Sequence, residues 1–176
     1  EAKARFFRGF AYRTLTYLYG GVPLLLTEVI EPKFDYVRAS KEEVLRQALT
    51  DVEFAAAHLP SLSSVQDGEV SNAAAYHLLS ELYLATAQYQ KAVDAATTVI
   101  DDPATGLMYT RFGSRANELP GDVYWDLFRK NNQNRSSGNT EGIWVIQIET
   151  DTPGGSGSLT AKDQTYTLER HHAPMV

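Results

Sequence analysis

An aromatic pair, Tyr124-Trp125, stands just ahead of a run of amides and cations: Arg129, Asn131, Asn132, Asn134 and Arg135. Those residue types are the ones that hold a sugar. An aromatic ring stacks on the apolar face of the ligand, and guanidinium and carboxamide groups bond its hydroxyls. The stretch is rich in Asn, Ser and Gly, so it reads as a loop, where binding residues concentrate. A plainer reading stands beside this one. Tyr124, Trp125 and Phe128 fall at helical spacing and can anchor the loop to a core, while the asparagines make turns.

Other groups that could do chemistry are poorly placed for it. His171 and His172 are adjacent, so their side chains diverge on a strand or a helix and do not converge on one ion. His58 and His77 are isolated, and the chain has no cysteine, so no metal site is expected. Gly154-Gly155-Ser156-Gly157-Ser158 nearly imitates a nucleophile elbow, but Ser158 stands where glycine is required, and the stretch reads as a loop. Glu42-Glu43 and Asp101-Asp102 are neighbours at helix ends and cannot face each other across a substrate as glycosidase carboxylates must. Asn134-Arg135-Ser136 matches a glycosylation sequon, a short pattern that carries little information. No cofactor and no catalytic residue are expected.

Four helices precede this region. The first spans about Ala2 to Tyr19, with Phe7, Phe10 or Ala11, Thr14 or Leu15, and Leu18 at i, i+3/i+4 spacing, while Arg5, Arg8 and Arg13 lie elsewhere on its surface. Gly20-Gly21 stop it. A connection of roughly twenty residues follows, apolar at Val22 to Leu26 and broken by Pro32. Ser40 with Glu43 forms a capping box that opens the second helix. Its buried stripe is Leu45, Ala48 or Leu49, Val52, Ala55 or Ala56, and Leu59, and Pro60 ends it. Residues 61–70 are a polar loop. Ser71 or Asn72 caps the third helix, which runs to about Gln88, and the fourth runs from about Gln90 to Asp101.

The third and fourth helices carry the pattern of a tetratricopeptide hairpin. Leu79, Ser80 and Tyr83 lie one turn apart, and Ala92, Ala96 and Val99 supply small residues where two backbones touch. Such a hairpin has no chemistry of its own; it is a scaffold for binding. Two hairpins are fewer than the ~3 repeats that normally bury a continuous core. The chain also begins at Glu1 inside an amphipathic pattern, so it reads as part of a longer protein. Beyond Pro103 the composition shifts to Gly, Asn, Ser and aromatics. Asp122 to Phe128 can form a helical turn or two, Ile143 to Glu149 is the strand candidate with Trp144, Ile146 and Ile148 on one face, and Asp151 to Ser158 is a loop. Trp144 is expected in the core. Tyr12, Tyr17, Tyr19 and Tyr83 are expected to pack or to face a partner.

The net charge is −6 and the pI about 5.2, which argues against nucleic acid, whose phosphates call for a basic face. No run approaches the ~18–20 apolar residues of a membrane-spanning helix.

Four segments in order, residues 2–28, 38–60, 70–101 and 123–149, resemble the SusD/RagB-like nutrient-binding proteins of Bacteroidota, and the tail LERHHAPMV fits the same pattern. The resemblance implies a mostly α fold, a SusD-like α-solenoid core of tetratricopeptide-like hairpins with a loop-rich region containing a short strand. Residues 1–103 would be the scaffold and 104–176 the ligand-side region of the same domain. It further implies a surface-exposed outer-membrane lipoprotein, anchored through a lipid outside this chain. Such a protein binds an oligosaccharide or polysaccharide and delivers it to a TonB-dependent transporter of the SusC type. The competing expectations are a generic tetratricopeptide-like scaffold that binds peptides, with polar grooves on successive first helices, and a carbohydrate-active enzyme, for which no acid–base constellation is present.

Overall fold

The computed structural model describes residues 1–147. Within it, Glu1–Trp144 forms one compact unit, and Val145 opens a second. Of the sequence expectations, Ile148 and Glu149, the loop at 151–158, His171-His172 and the tail lie outside the described residues.

The first unit is built on four helices in sequence-adjacent contact: α1 (Ala2–Tyr19) packs on α2 (Lys41–His58), α2 on α3 (Asn72–Ala85) and α3 on α4 (Tyr89–Ile100). This is the helical-hairpin order of a tetratricopeptide-like scaffold. A five-residue helix, α5 (Val123–Leu127), and two 3₁₀ turns, Leu62–Ser64 and Arg135–Ser137, complete the described elements.

The helix ends are set by local chemistry. Gly20 takes φ 71°, in the left-handed region that a side chain disfavours, and its N–H closes α1 on Thr16 O at 2.9 Å. Ser40 accepts from the Glu43 N–H, and the Glu43 carboxylate accepts from the Ser40 N–H and hydroxyl, both at 2.8 Å. Those bonds to Ser40, the backbone one first, hold the Glu43 carboxyl below its ordinary value. Ser71, not Asn72, caps α3 by accepting from Ala74 N–H. Ala87 turns with φ 56° between α3 and α4, and the Gln88 N–H reaches Tyr83 O at 2.8 Å.

The core lies along α2 and α3. Val44, Leu45, Ala48, Val52, Ala55 and Ala56 of α2 and Ala74, Ala75, Leu78, Leu79 and Leu82 of α3 are buried, with Leu59 just beyond α2. The stripe expected on α2 is therefore the one observed. Tyr83 is buried too; its hydroxyl donates to Glu53 at 2.7 Å, and burial first, then that bond, raises its pKa.

On α1 the expected stripe is not the buried one. Phe6, Gly9, Tyr12 and Thr16 are buried, whereas Phe7, Leu15 and Leu18 are exposed. The face has turned by about one residue, ~100°. Gly9 is the cause: a Cβ there would sit 2.5 Å from Val52 Cγ2 and 3.1 Å from Ala48 O, so α1 and α2 touch where α1 has no side chain. Arg8, read from the sequence as a surface cation, instead holds the buried Asp51 of α2 in a two-pronged pair at 2.6 and 2.7 Å. Gly9→Ala is expected to destabilise the full-length protein by about 1–3 kcal/mol. The change should appear as a lower urea midpoint at unchanged slope.

Phe7 and Phe10 serve a different contact. With Phe6 they surround Trp144, at centroid distances of 5.5 to 5.9 Å and steep interplanar angles, and Trp144 Nε1 donates to Gly68 O at 3.2 Å. Trp144 is thus packed against the core as expected, but the short strand predicted over Ile143 to Glu149 is not formed in its described part, 143–147. A strand needs a neighbour to pair with, and no strand occurs among the described residues. Trp144 is held by ring contacts and one side-chain bond instead.

Candidate functional site

The residues singled out in the sequence sit on a loop, 104–142, that is ordered by side chains bonded to its backbone. Asp122 caps α5 by accepting from Trp125 N–H at 2.8 Å. Asp126, fully buried, accepts from Arg111 Nε and Nη2 and from the Phe112 N–H at 3.2 Å. The remaining Arg111 donors reach Glu118 O, Gly121 O and Arg115 O at 2.7 to 3.2 Å. One guanidinium thus gathers three backbone carbonyls around one carboxylate.

Asn132, also fully buried, closes a second ring: its Nδ2 donates to Phe112 O at 3.3 Å and Asp126 O at 3.0 Å, and its Oδ1 accepts from Ser114 N–H at 3.3 Å. Asn139 repeats the device, donating to Asn132 O and accepting from Glu141 and Gly142 N–H. Gly113, at φ 76°, leaves the space that the Asn132 amide fills.

This framework decides which aromatic rings face solvent. Tyr124 on α5 and Phe128, which caps its C-terminus one turn later, are 70% and 72% exposed, and their rings meet edge-on at 5.0 Å. Trp125, the next residue, is less exposed, at 37%. The Arg129 guanidinium lies over its ring, with Cζ 3.3 Å from the centroid, and Gly121 abuts the ring where a Cβ would collide with it. Arg129 also pairs with Glu118 at 3.7 Å.

The seven expected residues are therefore divided. Tyr124 is presented to solvent; Trp125 and Arg129 are stacked on each other; Asn132 is committed to the loop interior. Asn131 is exposed and takes φ 71°, a left-handed turn that asparagine tolerates. Asn134 and Arg135 lie farther along, at the 3₁₀ turn beside the 61–70 loop, where Ser136 bonds Asp67 through its N–H and hydroxyl. Phe128, read from the sequence only as an anchor, is the second exposed ring. Arg111 and Asp126, on which the loop depends, have no sequence signature. The i, i+4 spacing of Tyr124 and Phe128 on a helix capped by Asp122 was the signal that could have paired the exposed rings.

The Arg111 hydrogen bonds, then the Phe112 N–H and nearby positive charge, hold the Asp126 carboxyl below its ordinary 3.8 against the opposing effect of burial. A carboxyl lowered on folding stabilises the folded state above its unfolded pKa, and that support is lost as pH falls through the folded value. Hydrogen-exchange protection of the Phe112 amide is therefore expected to hold from neutrality to about pH 4 and to fall below it. Asp126→Asn should show the loss already at neutral pH. Unchanged protection in that variant would refute the role given to the pair.

No group of three or more His, Cys, Asp or Glu side chains placed to hold a metal occurs among the described residues. The paired helices are tetratricopeptide-like, and the hydrogen-bonded loop that follows them carries an aromatic surface. Residues 1–84 match the model of the SusD-like family described as starch-binding and associating with the outer membrane. A SusD-like protein from Bacteroides fragilis NCTC 9343 superposes with a TM-score of 0.68 at 24% identity, over 86% of this chain and 27% of its own. A SusD homologue from Bacteroides thetaiotaomicron VPI-5482 gives 0.67 at 18% identity, over 93% of this chain and 30% of its own. A laminarin-binding SusD-like protein gives 0.56 at 28% identity, over 62% and 26%. The chain is thus similar to SusD-like proteins in its first 84 residues by sequence and in its helical fold, and it spans 26 to 30% of the length of these structures. No curated protein matches it in sequence.

Proposed function

We propose that this chain is the scaffold and part of the ligand side of a non-enzymatic glycan-capture protein at the cell surface. Residues 1–103 serve as the helical scaffold, and 104–176 belong to the ligand side of the same domain. The observation that carries the reading is the Tyr124–Phe128 pair: two large rings exposed side by side on a short helix whose underside is fixed by Arg111, Asp126 and Asn132. Exposed aromatic area on a rigid support loses little entropy on binding, and it suits the apolar face of a sugar ring. The family's description as starch-binding and the laminarin-binding relative support the same ligand class.

In this reading the bound oligosaccharide passes to a TonB-dependent transporter of the SusC type, and a lipid anchor outside this chain keeps the parent protein on the outer membrane. The connection between α1 and α2 supports a partner: Ile30, Phe34 and Val37 are 87%, 94% and 83% exposed, more apolar surface than a lone face normally shows. The test uses the full-length protein, displayed against a panel of immobilised polysaccharides and pulled down from membranes. Binding to at least one polysaccharide and recovery of a large β-barrel transporter are expected. Binding to none, with no transporter recovered, would overturn the reading, and release of reducing ends would replace it with an enzyme.

A further inference from the structure

A cavity of about 520 Å³ lies away from α5, between the 61–70 loop and the Arg135–Ser137 turn. Its walls include Leu62, Val65, Gln66, Asp67, Arg135 and Ser136. Arg135 differs from the other arginines of comparable burial. Arg5, Arg8, Arg13, Arg111 and Arg129 each have a carboxylate partner. Arg135 forms no ion pair among the described residues; its Nη1, like Nε and Nη2 of Arg129, is shielded from solvent with no hydrogen-bond partner, but Arg129 has Glu118 beside it at 3.7 Å. The one carboxylate in the wall, Asp67, is turned to Ser136, accepting from its N–H at 3.3 Å and from its hydroxyl. That bond fastens the 61–70 loop to the turn and holds the cavity open beside the guanidinium.

A guanidinium that lines a cavity without an ion-pair partner is satisfied far better by a charged acceptor than by a neutral one. A sugar hydroxyl would satisfy the donor but leave the charge unpaired, whereas a carboxylate satisfies both. We infer that this cavity is a subsite for the carboxylate of an acidic sugar, a uronate, with Arg135 as the residue that selects it. The inference rests on the glycan-binding reading above and narrows its ligand class. Gln66 and Ser136 stand in the same wall to bond hydroxyls beside the carboxylate.

The test is titration calorimetry of the full-length protein with oligogalacturonate and hyaluronan oligosaccharides, each beside its carboxyl-reduced form. At least one acid form is expected to bind about tenfold or more tighter than its reduced form, with the advantage shrinking as salt rises. Arg135→Ala should bring the acid form down to the level of the neutral one, and Arg135→Lys should recover part of the difference, since it restores the charge without the fork. Circular-dichroism melts of both variants check that the fold is kept. Equal affinity for acid and reduced forms, or an unchanged preference in Arg135→Ala, overturns the inference. Neutral polysaccharides that bind while no uronate does would overturn it and leave the glycan reading intact; a panel with no binding at all would remove both.

Discussion

Arg8→Met is expected to lower the stability of the full-length protein by about 3–5 kcal/mol, the range for removing one partner of a buried ion pair. Asp51 is completely buried in the α1–α2 contact, and both its oxygens are held by Arg8. Methionine keeps much of the volume of the arginine stem but leaves that carboxylate without its cation. Asp51→Leu is expected to cost less. The Arg8 side chain is 31% exposed, and its Nη1 already reaches outward to Leu26 O at 3.1 Å, so the freed guanidinium can turn to water. The double variant should recover most of the loss, because an apolar pair of matching shape replaces a buried ionic one at little or no cost. Urea titration of the three variants measures the coupling. If Arg8→Met costs no more than Asp51→Leu, the pair is not the constraint described here.

That pair also shows where sequence reading stops. Ser40 with Glu43, the glycine after Tyr19 and the proline after Leu59 act within a few residues of themselves, and each marked a helix end correctly. The stripe of α2 was legible for a related reason: apolar residues recur there at helical spacing, and both neighbouring helices bury them. On α1 the apolar spacing was equally regular but marked the wrong face, because the contact is fixed across forty-odd positions of chain by Gly9 against Val52 and by Arg8 against Asp51. Phe7 and Phe10 kept their apolar neighbours, only with Trp144 rather than with α2. The alternation around Trp144 looked like a strand, but an extended segment becomes a strand only beside a partner, and periodicity cannot say whether one is present.

The site was legible in composition more than in arrangement. An Asn-rich, aromatic loop was identifiable as a place where a ligand could bind, yet residue type cannot tell an asparagine that serves the loop from one that faces outward. Asn132 has the same chemistry as Asn131, and the difference between them is burial: one closes Phe112 O and Asp126 O inside the loop, the other turns the chain at its surface. The same holds for the cations. Arg111 gathers backbone, Arg129 covers Trp125, and Arg135, with no ion pair among the described residues, lines a cavity.

If Tyr124 and Phe128 form the surface on which a glycan stacks, removing either ring should weaken binding by about 2 kcal/mol, roughly thirtyfold in Kd, as for the anchor residues of other interfaces. Both rings are already in solvent, so Tyr124→Ala and Phe128→Ala should leave the melting temperature within a degree or two. Trp125→Ala gives the contrast. That ring is clasped between Arg129 and Gly121, so its loss should loosen the loop and lower stability together with affinity. Tyr124→Phe separates stacking from hydrogen bonding: near-parental affinity assigns the effect to the ring, and a loss as large as that of alanine assigns it to the hydroxyl. Because the two rings touch, the double alanine variant should lose less than the sum of the singles, and additive losses would mean that they meet the ligand at separate places. Alanine variants that bind like the parent would move the ligand off α5 altogether. The exposed rings would then be a protein contact, and the search for the glycan would shift to the cavity beside Arg135.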